Sequence, residues 1–264
     1  MTKLYLGRHV FGFAAILFAF IAFFWRQFNV WQQIQPLGNL AHPTLLLFLA
    51  AVIQLFGGIA IQFTKSARIG AAVLGSIYLI FALLWVPRIV HDPLLYDRWG
   101  NFFEQFSLVA GALIVFASFT PGNPQRSAKL ARLGYYFFGL CVISFMLEQL
   151  FFLKGTADFV PKWIPPSQMF WAILTTVAFA LAAIALFTGY SALLASRLLT
   201  LMIAGFGLLV WLPAPFRDPH QLINWAGNAQ NTAILGAAWI LTDYLTQSPA
   251  TATSHAPAAA IQPV

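Results

Sequence analysis

Charge is what this chain has least of. Asp, Glu, Lys and Arg make up 8% of its 264 residues, where a soluble domain carries roughly 25%. With 60% hydrophobic residues and a mean hydropathy of +0.79, it has too little polar side chain to cover itself in water, and it belongs in a bilayer. Acids are scarcer than bases, which leaves a formal net charge of +7. In a soluble protein that excess would suggest nucleic acid. Here the bases sit between apolar runs, where they orient spans, and no nucleic-acid partner is expected. Cysteine is nearly absent. Cys141 stands alone inside an apolar run, which excludes an internal disulfide or a CxxC dithiol. No phosphate loop, GxSxG elbow or HExxH string occurs, so a soluble-type hydrolase or nucleotide-driven pump has no support. His42, His91 and His220 have no close ligand partner at metal-binding spacing. No histidine pair lies deep in facing spans for a haem, and no metal site is expected.

What is abundant is apolar length. A spanning helix needs about 20 mostly apolar residues, and eight stretches qualify: 9–26, 43–63, 68–87, 101–120, 131–153, 167–188, 194–213 and 226–246. These runs are too long for strands, and helices satisfy their own backbone in lipid. The first lacks a small-residue cleavage site and reads as a retained span, not a signal peptide. Lys3, Arg8, Lys65, Arg68, Arg126, Lys129, Arg132 and Arg197 fall on one side of the alternating connections. The other side holds Arg26, Arg88, Arg98, Lys154, Lys162 and Arg217. The excess puts both termini in the cytoplasm. Trp25, Trp31, Trp85, Trp99, Trp163, Trp171, Trp211 and Trp225 then gather at the outer boundary, as an interfacial belt or around an aromatic outer pocket. The stretch 247–264, rich in Ala, Pro, Ser and Thr, reads as a disordered cytoplasmic tail.

The chain also repeats itself. Trp85-Val86-Pro87, Asp92-Pro93 and Trp99 return as Trp211-Leu212-Pro213, Asp218-Pro219 and Trp225, each 126 positions on (211 − 85, 218 − 92, 225 − 99). The small-xxx-small pair Ser107 and Gly111 returns as Ala233 and Ala237, which predicts close helix packing at matching places. Four spans per copy is an even number, so the copies run parallel. The expected architecture is all-α: eight transmembrane helices as two parallel four-helix repeats, 1–120 and 131–246. A cytoplasmic linker over 121–130 joins them, where Thr120-Pro121-Gly122-Asn123-Pro124 breaks the helix.

Acids inside spans are costly and mark functional sites. Glu104 opens the fourth span; its counterparts 126 on are Gln230 and, for Gln105, Asn231. Glu148 shares a helical face with Ser144 and Cys141, facing the bundle. Arg26, Arg88 and Arg217 end spans one, three and seven and are natural partners for Glu104, Glu148, Asp92 and Asp218, with Arg26 or Arg88 expected on Glu148. An Arg–carboxylate lattice closing the outer mouth would follow, or else solvated loop charge.

From Glu148 onward the string Phe159-Val160-Pro161-Lys162-Trp163-Ile164-Pro165-Pro166, then Phe170-Trp171, then Trp211-Leu212-Pro213 resembles the DoxX-like family of small bacterial membrane proteins. The likeness covers about 131–246; the first half lacks the VPxWxPP string. The resemblance implies four-helix units in a bacterial inner membrane and a loose tie to redox stress and quinones, through the thiosulfate:quinone oxidoreductase subunits that give the family its name. No catalytic residue carries over. Pro161, Trp163, Pro165, Pro166 and Trp171 match the string and shape an outer turn. The leading expectation is a redox-associated protein holding a quinone or similar hydrophobic molecule near the outer leaflet. Trp85, Trp163, Trp211 and Trp225 would line that site, Glu104 and Glu148 would meet the head group, and Asn228 and Asn231 would lie nearby. The alternatives are a small-solute or lipid carrier, or a non-catalytic scaffold for a membrane or periplasmic redox partner.

Overall fold

Apolar length becomes helix throughout. A computed structural model describes residues 6–26 and 42–247; Lys3, Trp31 and the tail from 248 lie outside them. The described residues form helices and no strands. In chain order these are α1 (Leu6–Trp25), α2 (Pro43–Ala60), α3 (Ala67–His91), α4 (Tyr96–Ser118), α5 (Pro124–Phe151), α6 (Leu153–Phe159), α7 (Gln168–Thr188), α8 (Ala192–Phe206), α9 (Ala214–Arg217) and α10 (Leu222–Gln247). A π-helical stretch, Gly207–Trp211, extends α8 toward α9. Among the described residues seven segments are long and apolar enough to cross a membrane: α1, α2, α3, α4, α5, α7 and the run from Ala192 to Arg217. The multi-pass bilayer reading therefore stands. Phe20, Leu181, Ile184 and Leu201, each more than half exposed, give the bundle the apolar outer face that lipid requires.

The eighth expected span, now α10, is 26 residues long but is not among those seven. Asn224, Asn228, Gln230, Asn231 and Thr232 lower its hydropathy. It is also the central helix, packed against α1, α4 and α8, and Gln230 and Asn231 are buried there. Its polar side is turned into the protein.

Helix ends differ from expectation in two places. Asn123 caps α5, its Oδ1 accepting from Arg126 N at 3.0 Å, with Pro124 in the first turn. Residues 124–130, expected in the linker, are thus the opening turns of a helix; a proline at the first turn gives up no hydrogen bond. At the other place α3 runs through Pro87 to His91, past the expected end of the third span at 87. Near position 213 the chain takes the other course. Leu212 N reaches back to Gly207 O at 2.7 Å in the π stretch, and the helix restarts beyond Pro213.

The helices pack in chain order: α1 on α2, α2 on α3, α3 on α4, α4 on α5, α5 on α7, α7 on α8 and α8 on α10. α1 on α10 closes the ring, and α4 meets α10 across its middle. Both halves therefore share one core. The central contacts are made by small residues. A Cβ placed on Gly111 would stand 2.9 Å from Ala237 Cβ, and Ser107 and Ala233 are fully buried nearby. α5 is also tied to α7, because the buried Tyr135 hydroxyl donates to the Leu186 carbonyl. Tyr135→Phe should lower stability by about 1 kcal/mol, the net value of one such bond. Thermal melting checks this, and an unchanged melting temperature would deny the bond any structural role.

Candidate functional site

One large cavity, of about 520 Å³, opens among α5, α6, α7, α8 and α10, with α4 contributing Asp97 and Glu104. That volume lies within the 300–1,000 Å³ of small-molecule sites. Its walls are mostly aromatic and aliphatic: Phe145, Phe152, Phe159, Trp171, Phe179, Ile203, Phe206, Leu209, Val210, Trp211 and Ile234. Its polar groups are Asp97, Glu104, Glu148, Gln149, Thr156, Thr175, Gln230 and Asn231.

Several local features hold these groups. Gly100 of α4 lies against the Glu148 carboxylate, and a Cβ there would stand 2.6 Å from Oε1. The absent side chain makes room for Glu148 to reach across from α5. Tyr96 OH donates to Ser144 Oγ at 3.0 Å, one turn before Glu148. Gln149 Oε1 accepts from Thr175 at 3.0 Å and Thr176 at 3.1 Å, which fixes α5 to α7. Gln105, fully buried, donates from Nε2 to Gln230 Oε1 at 3.2 Å. Gln230 itself is 5% exposed, and its Nε2 has no hydrogen-bond partner among the described residues.

The π stretch forms one wall. Such bulges concentrate at functional sites, and here Leu209, Val210 and Trp211 all line the cavity. Asn228 Nδ2 donates to the Trp211 carbonyl at 3.1 Å and Asn231 Nδ2 to the Ile203 carbonyl at 3.3 Å. Gly207 admits the Asn231 amide, and Gly227 admits the Trp211 ring, where a Cβ would come within 2.0 Å of it. Trp211 also lies 5.8 Å from the Phe159 ring, centroid to centroid. Gly205 also lines the cavity, and a Cβ there would meet nothing within 4 Å.

Of the residues expected at the site, Glu104, Glu148, Trp211 and Asn231 line the cavity, and Asn228 supports its wall. The others lie elsewhere. Trp85 is fully buried, as part of the packing of the first half. Trp163 is 70% exposed and Trp225 40%. Trp225 Nε1 donates to Pro219 O at 3.0 Å, and Trp99 Nε1 to Pro93 O at the same distance, so these indoles seal connections. Of the prolines and tryptophans in the VPxWxPP…FW string, Pro161 and Trp171 reach the cavity.

The expected cation on Glu148 is not there: among the described residues no Lys, Arg or His lies within ion-pair distance of it. Arg26 is exposed and donates from Nε to the Phe23 carbonyl. Arg88 lies over the Trp85 ring of its own helix, 5.1 Å from the centroid, and Arg217 is exposed. Arg98 instead pairs with Asp97 at 3.3 Å. Arg26 and Arg217 sit at helix ends where water reaches them, and Glu148 turns toward the cavity. Among the described residues no group of three or more His, Cys, Asp or Glu is arranged to hold a metal. Cys141 is fully buried and does not line the cavity.

Sequence reasoning missed Asp97, Gln149, Thr175 and the aromatic walls. No local signal marks them, because separate helices, from α4 to α10, bring them together. No family model, curated protein or solved structure matches the chain.

Proposed function

We propose that this chain is a DoxX-like protein of eight transmembrane helices, two parallel four-helix repeats, whose second repeat binds a hydrophobic small molecule. The cavity carries the reading: an apolar, aromatic chamber with a few convergent polar groups is the usual form of a small-molecule site. The repeat is supported by helix bounds that agree in register, since α2, α3 and α4 start at Pro43, Ala67 and Tyr96 and α7, α8 and α10 at Gln168, Ala192 and Leu222. It is supported further by the matching indole bonds of Trp99 and Trp225. Gly111 against Ala237 puts two positions 126 apart in contact, as a two-fold relation between the halves demands. α10 is then the eighth span, shielded from lipid by its neighbours.

The quinone implied by the resemblance would accept from Gln230 Nε2 and stack on the aromatic walls. It carries no group to match the carboxylates, so the favoured ligand is broader: an apolar body with a polar head at Glu148, Glu104 and Gln230. Photolabelling tests the site. A hydrophobic diazirine should label Phe145, Phe179 and Phe206 far more than Ala19, Ala51 and Leu74, which are buried in the first half away from the cavity. Equal labelling of the two sets would contradict a site in the second half.

Both termini are proposed to be cytoplasmic, on the basis of the Lys and Arg distribution. The cavity then opens toward the outer leaflet, since Glu148 is near the end of α5 that leads into the Lys154–Lys162 connection. A reporter fused at Thr251 should read inside and one at Tyr96 outside; the reverse pattern would invert the site.

A further inference from the structure

We infer that the ligand of this cavity is an organic cation, an amine or quaternary ammonium on an apolar body, carrying a hydrogen-bond acceptor near its nitrogen. The inference rests on the small-molecule site proposed above and adds the chemistry of its head group. Three carboxylates, Asp97, Glu104 and Glu148, line the cavity, and no Lys, Arg or His does. Asp97 has Arg98 beside it. Glu148 has no cation within ion-pair distance among the described residues, although it is partly buried in a low-polarity wall. A carboxylate withdrawn from water in this way calls for a positive partner, and an empty 520 Å³ lies beside it.

The walls suit the same ligand. Trp171, Trp211 and Phe159 line the chamber, and the faces of aromatic rings attract quaternary and protonated amines. Gln230 supplies the second, independent indication. It is 95% buried, its Nε2 lacks a hydrogen-bond partner among the described residues, and it lines the cavity. A buried donor left unpaired is costly, so an acceptor on the ligand, a hydroxyl, ether or carbonyl oxygen, completes it. A choline lipid headgroup offers the same ammonium, but it would bring its phosphate against these carboxylates. A free cation is therefore favoured.

The test uses the full chain in an uncharged maltoside detergent and two probes of one shape. One is a phenoxyalkyl trimethylammonium; the other is its neutral tert-butyl isostere. Isothermal titration should show the cation binding at least tenfold tighter. In Glu148→Gln, which keeps the side-chain shape, cation affinity should fall at least tenfold while the neutral probe is unchanged. Glu104→Gln gives a second reading should the first variant fold poorly. In Gly205→Phe both probes should be lost. Equal affinity for the two probes, both lost in Gly205→Phe, would overturn the cation inference and leave the site in place. Binding of neither probe, or binding that survives Gly205→Phe, would overturn the site as well.

Discussion

Gly236→Val separates α1 from α10 and is expected to be the most damaging single change in the bundle. A Cβ at 236 would stand 2.5 Å from Phe11 N and 2.6 Å from Phe11 Cα. Both are backbone atoms, so no side chain can swing aside. On the same helix pair, a Cβ at Gly7 would stand 2.4 Å from Ile240 N. The two helices touch main chain to main chain, and only glycine permits that spacing. In a membrane such packing supplies much of the attraction between helices, because lipid competes for every apolar side chain. Overpacking of an ordinary core site costs about 1–3 kcal/mol. With a β-branched residue pressed on backbone, the loss here should reach the top of that range or exceed it. Gly111→Ala meets the Ala237 Cβ and Cα at 2.9 and 3.0 Å and the Ile240 Cδ1 at 3.8 Å, and should cost less. Melting temperatures should rank wild type above Gly111→Ala above Gly236→Val. A Gly236→Val protein that melts with the wild type would mean α1 and α10 do not pack this way.

Gly205→Phe should have the opposite character: loss of ligand with the fold intact. Gly205 lines the cavity together with Phe179, Phe206 and Trp211, and a Cβ there meets nothing within 4 Å, so a ring has room at the cavity's edge. Filling apolar space usually stabilises, by about 0.5–2 kcal/mol. The ring would occupy the volume the ligand needs, so affinity should drop by more than tenfold, about 1.4 kcal/mol. Lower melting temperature together with lost binding would mean the space is needed for packing.

The bilayer fold was legible because its signals are long. Some 20 apolar residues in a row survive any uncertainty about neighbours, and Trp, Pro and Asp at a spacing of 126 mark both α3–α4 and α8–α10. Helix ends were less legible. The third span was expected to end at 87, yet a proline near the end of a long helix costs only one bond, and α3 continues to His91. α10 was read from its apolar residues, while its Asn and Gln side chains proved to face inward.

The site was half legible. Glu104 and Glu148 stood out because acids in spans are costly, and both face the cavity. The partner of Glu148 was misjudged: spacing along the chain puts Arg26 and Arg88 at the same boundary, but says nothing of which way a long, flexible arginine turns. The tryptophans were over-read for the same reason. An indole near the membrane edge can fill a core, as Trp85 does, seal a loop, as Trp225 does, or line a chamber, as Trp211 does. The cavity itself has no motif. Its walls come from α4, α5, α6, α7, α8 and α10, and no local pattern in the chain announces that these stretches meet.

The most direct test is native mass spectrometry of the protein released from detergent, wild type beside Gly205→Phe. The wild type should carry a bound small molecule at one per chain, and Gly205→Phe, equally folded, should carry none. The same adduct at the same occupancy on both proteins would place the ligand outside the cavity of the second half and contradict the account.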